Sequence, residues 1–155
     1  MDRVAAPTIA VALGTNLGDR VGHLNYAVAR LQTVLDSLKV SRYIETEPIG
    51  AIGPQPLFLN AAAVGSTPLP PTALLEALQR IEAERGRIRP YANAPRTLDL
   101  DLILYGNQVI SEPDLQVPHP RFRERRFVLE PLAEIAPDLI DPVTGRSIRA
   151  LLEKT

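Results

Sequence analysis

The chain has 155 residues, 45% hydrophobic and 23% charged, with 17 basic and 18 acidic side chains and a net charge of −1. That length suits a single domain with a sizeable core, the charge balance argues against broad nucleic-acid binding, and the lack of cysteine excludes disulfides and thiolate metal sites. With only His23 and His119 a zinc site is disfavoured, and neither a bilayer-length apolar run nor a signal-peptide pattern is present, so a cytoplasmic protein is expected.

Residues 8–13 (TIAVAL) have the length and composition of a strand, and the turn Gly14-Thr15-Asn16-Leu17-Gly18-Asp19 follows, with Asp19 placed to cap a helix. In that helix Leu24, Val28, Leu31, Leu35 and Leu38 form one apolar stripe, and His23 lies off it, exposed. A strand is expected over 40–45, then an irregular loop through Pro48, Gly50, Gly53, Pro54 and Pro56, then a strand over 58–64. Pro70-Pro71 opens a second helix with Leu74, Leu78 and Ile81 on its buried face, and Gly86 ends it. Residues 87–96 read as a loop. After the following strand, Gly106-Asn107 turns the chain back as a hairpin through Gln108-Val109-Ile110. Pro131 starts a short helical turn, residues 141–145 form a turn, and Ser147 caps a last helix bearing Ile148, Leu151 and Leu152. Helices alternating with strands, including an antiparallel hairpin, predict an α+β sandwich with helices on one or both faces of the sheet.

The stretch Leu98-Asp99-Leu100-Asp101-Leu102-Ile103-Leu104 holds the main chemical signal. Side chains alternate along a strand, so Leu98, Leu100, Leu102 and Leu104 should share one face, and Asp99 and Asp101 the other. Two carboxylates roughly 6.5–7 Å apart repel unless a cation lies between them, and Mg²⁺ is commonly held by one or two carboxylates plus substrate phosphates. A solvated strand face is the plain alternative. The leucine run around the pair and the arginine-dense tract before it, Arg85, Arg87, Arg89 and Arg96, favour a magnesium-phosphate ligand. A second basic cluster comprises Arg121, Arg123, Arg125 and Arg126. No glycine-rich phosphate loop is present, so a nucleotide would be held by arginine and metal. Phe58 and Asn60 share a strand face and could stack on a planar heterocycle and read its edge, although taken alone they fit a core ring and a turn cap better. His119, between two prolines, could donate to a phosphate or lie on the surface.

Gly14-Thr15-Asn16-Leu17-Gly18, Thr46-Glu47-Pro48, Phe58-Leu59-Asn60, Gln79-x-x-Glu82, Gly86-Arg87-x-Arg89, Pro95-Arg96-Thr97-Leu98-Asp99-Leu100-Asp101 and Val117-Pro118-His119, in this order, resemble the 6-hydroxymethyl-7,8-dihydropterin pyrophosphokinase family of folate biosynthesis. The resemblance implies a ferredoxin-like α+β sandwich, one domain over 1–155, and transfer of pyrophosphate from ATP to the pterin's hydroxymethyl group, leaving AMP. It implies two Mg²⁺ ions on the triphosphate held by Asp99 and Asp101, with Arg87 and Arg96 also catalytic. It places Phe58 and Phe127 on the two faces of the pterin, Asn60 at its edge, and Thr46 and the Ile49 backbone around it. Gln79, Glu82, Arg87, Arg96, His119 and Arg125 match ATP-contacting positions. Its partners would be small molecules only, with no nucleic acid or membrane, and the chain a monomer. The chain departs from the family pattern at Thr15, where serine is usual, at Asn93-Ala94, where Arg-Trp-Gly is usual, and at Pro120, where an aromatic is usual. Two rival classes are a non-catalytic ferredoxin-like sensor of a nucleotide or pterin, which release of AMP from ATP in the presence of the pterin would separate from an enzyme, and an RNA-binding module, which three phenylalanines, no tryptophan and a net charge of −1 oppose.

Overall fold

A computed structural model describes residues 6–47, 57–85 and 97–155. Strand β1 (Thr8–Thr15) leads through Asp19, whose carboxylate accepts from the Gly22 N–H, into helix α1 (Arg20–Leu31). Strands β2 (Asp36–Val40) and β3 (Ile44–Thr46) follow, then β4 (Phe58–Ser66), helix α2 (Pro71–Glu84) and β5 (Asp99–Tyr105). The sheet runs β2-β4-β1-β5, all antiparallel, and β3 pairs with the other end of β4 on the β2 side. Counting β2 and β3 as one interrupted strand, this is the βαββαβ order of a ferredoxin-like sheet.

The composition of β1 explains the layers. Ile9, Val11 and Leu13 join Leu24, Leu31, Leu74, Leu78 and Ile81 in a core beneath α1 and α2. Ala10 and Ala12 face the opposite way, into a second core with Phe122, Val128, Leu129, Leu132, Ile148 and Leu151. These last come from a 3-10 turn (Phe122–Glu124), helix α3 (Arg126–Ile135) and helix α4 (Ile148–Glu153), the latter capped by the Ser147 hydroxyl. Helices therefore cover both faces of the sheet.

Five expectations change. The helical stripe stops at Leu31, where the Thr33 hydroxyl takes the Arg30 carbonyl and the chain turns into β2. Leu35 and Leu38 still pack on the first core, from a turn and a strand. The strand expected over 40–45 is two strands, broken at 41–43, where the buried Ser41 donates to the Arg42 carbonyl and accepts from the Ala62 N–H. Residue 110 does not return along β5: β6 (Ile110–Glu112) pairs with β7 (Leu115–Val117), while Glu82 and the His119 backbone N–H take hydrogen-bonding groups of β5 that β1 leaves over. Pro131 lies inside α3 instead of starting it, and is buried there. Leu104 belongs to the second core, not with Leu98, Leu100 and Leu102, because the β1–β5 register slips by one residue between Ala10 and Val11. The expected loops over 48–56 and 87–96, and the helix end at Gly86, fall outside the described residues.

Candidate active site

On the second face of the sheet, continuing from the core under α3 and α4, β1 and β4 present a floor of small residues. Gly14 pairs with Asn60 on one side and Asp99 on the other; two residues along β1, Ala12 pairs with Ala62 and Asp101. Cross-strand partners point to one face, so Asp99, Asp101 and Asn60 stand on the same surface. Strands are about 4.8 Å apart, which separates the acidic pair from Asn60 by about 10 Å.

On the far side Phe58 pairs with Thr46, and the Asn60 carboxamide, nearly buried, donates to the Thr46 hydroxyl. A Cβ on Gly14 would stand 3.1 Å from the Asn60 side-chain oxygen and 4.0 Å from the Phe58 ring. Glycine thus keeps the floor low where Phe58 and Asn60 lean over it. Phe127, on the first turn of α3, packs at the border of the second core, with the Arg125 guanidinium 5.6 Å from its ring centroid. Phe58 and Phe127 are both half-buried, with ring surface left for a ligand.

His119 reaches the acidic strand from outside the sheet. Its N–H donates to the Ile103 carbonyl at 2.9 Å, and its Nδ1 accepts from the Arg121 N–H at 3.2 Å, leaving Nε2 to carry the proton. Burial and the charges of Arg125 and Arg121 hold its imidazole below the usual histidine range, outweighing the opposite pull of Asp101. A neutral donor therefore stands beside Asp101 at ordinary pH.

Helix α2 packs on the other face of the sheet, and its site candidates divide. Gln79 is exposed. Glu82 is buried and its Oε2 accepts from the Leu100 N–H at 2.8 Å, closing an edge that β5 would otherwise leave open. The Pro95-Arg96-Thr97 approach and the candidates Ile49, Arg87 and Arg96 lie outside the described residues. His23, read as exposed, is half-buried: its Nδ1 accepts from the Arg85 Nε at 3.0 Å, and Arg85 lies over the Tyr26 ring.

The donor set can be tested against a metal. Among the described residues no group of three or more His, Cys, Asp or Glu side chains converges as a metal cage. Two carboxylates on one strand face fit the looser requirement of Mg²⁺, which fills its remaining positions with water and substrate phosphate. Two contributions were not read from the sequence. Gly14 forms the floor, a role visible only in register. Arg123 makes an ion pair with the fully buried Asp141, anchoring the segment between His119 and Phe127 to the turn before α4; the Asp-Pro turn alone gave no sign of that partner.

Comparison with known proteins shows the family. Residues 10–137 match the family model of 7,8-dihydro-6-hydroxymethylpterin-pyrophosphokinase (HPPK). The 2-amino-4-hydroxy-6-hydroxymethyldihydropteridine pyrophosphokinase of Bacillus subtilis is 48% identical over 127 residues, 81% of this chain and 75% of that protein. The protein of the same name from Pseudomonas aeruginosa is 42% identical over 146 residues, 93% of this chain and 89% of that protein. The folic acid synthesis protein fol1 of Pneumocystis carinii is 41% identical over 94% of this chain, which spans only 20% of that longer protein. In structure, Plasmodium falciparum HPPK-DHPS superposes with a TM-score of 0.75 at 15% identity, over 99% of this chain and 45% of that one, a likeness of fold. The chain belongs to the 7,8-dihydro-6-hydroxymethylpterin-pyrophosphokinase family.

Proposed function

We propose that this chain transfers the β,γ-pyrophosphoryl group of ATP to the hydroxymethyl oxygen of 6-hydroxymethyl-7,8-dihydropterin, with Mg²⁺ held at Asp99 and Asp101. Family membership carries the reaction class, pyrophosphoryl transfer in folate biosynthesis. The observation that supports the site is the paired row Asp99–Gly14–Asn60, with Asp101 and Phe58 on the same face. It sets an anionic, cation-binding edge about two strand spacings from a ring-and-amide pocket.

In this reading Phe58 and Phe127 stack on the pterin, Asn60 and Thr46 hydrogen-bond its edge, and the Ile49 backbone completes the pocket. The hydroxymethyl oxygen then points toward the acidic strand. It attacks the β-phosphorus, and the bond from that phosphorus to the α–β bridging oxygen breaks, releasing AMP. Such transfer makes little covalent demand on the protein, so positioning and charge neutralisation dominate. The cation supplies neutralisation of the phosphate oxygens when bound. Two ions are proposed, as the resemblance implies. His119, near enough to feel the charges of both Asp101 and Arg125, would offer its Nε2–H to phosphate, and the Arg125 guanidinium would be a second donor. Arg87 and Arg96 would neutralise it further, with Gln79 and Glu82 on the nucleotide side. Among the described residues no helix is long and apolar enough to cross a membrane; a monomeric cytoplasmic enzyme acting on small molecules is the proposed setting.

The test is chromatographic: ATP, Mg²⁺ and 6-hydroxymethyl-7,8-dihydropterin with the enzyme should yield AMP and the pterin diphosphate in equal amounts. ADP as product, or no AMP at all, refutes the assignment.

A further inference from the structure

Arg20 opens α1, and the reaction as described gives it no part. Its guanidinium nonetheless reaches the β3–β4 end of the sheet, where Glu45 pairs with Leu59 on the face opposite Thr46 and Phe58. Nη1 donates to the Leu57 carbonyl at 2.9 Å and Nη2 to the Glu45 carboxylate at 3.1 Å. Leu57 directly precedes Phe58, and Glu45 directly precedes Thr46; Phe58 and Thr46 are the terminal pair of the β3–β4 ladder. One planar cation therefore bonds both strands next to the two residues that form the pocket mouth.

The ladder needs such support. Strand β3 is three residues long and, among the described residues, pairs with β4 alone, so few backbone hydrogen bonds hold it. A guanidinium offers several donors in a fixed plane and can span a carbonyl and a carboxylate together, which an ammonium cannot do rigidly. The ion pair itself is partly exposed, 28% for Arg20 and 53% for Glu45, so it contributes little to global stability. Its effect falls on local geometry. Thr46 in turn receives the Asn60 carboxamide, so a shift of β3 would move the hydrogen-bonding edge as well as the mouth.

We propose that Arg20 is a positioning residue that fixes the spacing of Thr46 and Phe58, and thereby the affinity of the pocket for the pterin. The proposal rests on the pterin pocket assigned above. Arg20 touches neither substrate.

The experiment compares wild type with Arg20→Ala and Arg20→Lys. Hydrogen exchange in the ligand-free proteins reads the clip directly, and Arg20→Ala should exchange about tenfold faster at the paired amides of 44–46 and 58–60. In steady-state assays Arg20→Ala should raise the pterin KM by about five- to tenfold. Its kcat and ATP KM should hold within about twofold, and Arg20→Lys should recover part of the loss. Unchanged exchange at these amides overturns the proposal, whatever the enzyme does. So does faster exchange with an unchanged pterin KM, or an equal rise in both KM values with a lower melting temperature, which would make Arg20 a general structural residue. A wild-type enzyme that makes no AMP refutes the function instead, and is recognised because the exchange comparison needs neither substrate.

Discussion

Gly14→Ala separates the pocket from the fold more sharply than any truncation. Gly14 has no need of a left-handed backbone, since it is not among the positive-φ glycines, so alanine can adopt its conformation. The added methyl would stand 3.1 Å from the Asn60 oxygen and 4.0 Å from the Phe58 ring. The first distance is a few tenths of an ångström too short, and Asn60 has little room to yield because it is nearly buried and bonded to Thr46. Stability should barely move. Replacing a strand glycine gains about 0.5–1 kcal/mol of chain entropy, while the crowded contact costs about the same, the low end for overpacking. The melting temperature should stay within about 3 °C of wild type, where 1 kcal/mol corresponds to about 2–4 °C in a chain of this size. Pterin binding should suffer, because a raised floor and a displaced carboxamide weaken one hydrogen bond and one stacking contact. A net loss of about 1–2 kcal/mol is expected, or about 5- to 30-fold in Kd. Calorimetric titration with the pterin and, separately, with an ATP analogue and Mg²⁺ reads the two effects apart. An unchanged pterin Kd in a well-folded variant would refute the placement of the ligand over Gly14. A fall of more than 10 °C in melting temperature, by the same conversion, would show that the sheet cannot accept the methyl.

Asp101→Asn should lower turnover by about 10²-fold or more and weaken Mg²⁺-dependent nucleotide binding, with little change in melting; near-normal activity at low Mg²⁺ would remove the carboxylate from the site. Arg123→Ala should destabilise the protein by about 2–3 kcal/mol, at or below the range for breaking a buried ion pair, because Arg123 remains partly exposed. The corresponding drop in melting temperature is about 5–10 °C by calorimetry, and an unchanged value would mean that Thr144 and the Val143 N–H suffice for Asp141. Burial alone would raise the Asp141 carboxyl, but its bonds from Arg123, Thr144 and Val143 hold it at about 2, against 3.8 unperturbed. Its stabilisation is therefore complete above pH 3.8 and disappears as pH falls toward 2. His23 is held below its usual 6.5 by burial and by Arg85, so the unfolded chain takes up the proton first and stability should decline as pH falls below 6.5. Melting curves between pH 7.5 and 5, in wild type and in His23→Gln, which can still accept from Arg85, should show about half the slope or less in the variant; equal slopes would remove His23 from the acid response.

Short-range patterns were readable because their physical cause is local. The apolar run over 8–13 marked β1 as a strand, and the Asp19 and Ser147 caps answer orphan amides within three residues. Asp99 and Asp101 stood out because leucines surround them, and the period of a strand puts both on one face. The same local rule misassigned Leu104, since one slip against β1 reverses the facing of every residue beyond it and the cause lies on another strand. Leu35 and Leu38 kept helical spacing and reached the same core, so periodicity alone could not reveal that the helix had ended at Leu31. Tertiary structure alone decided that Asn60 and Asp99 meet across Gly14, that Arg20 bonds two strand ends 25 and 37 residues away, and that Arg123 finds Asp141. Those contacts depend on which strands become neighbours and in what register. That choice is made by burying both faces of the sheet at once, so it belongs to the whole chain and to no segment of it.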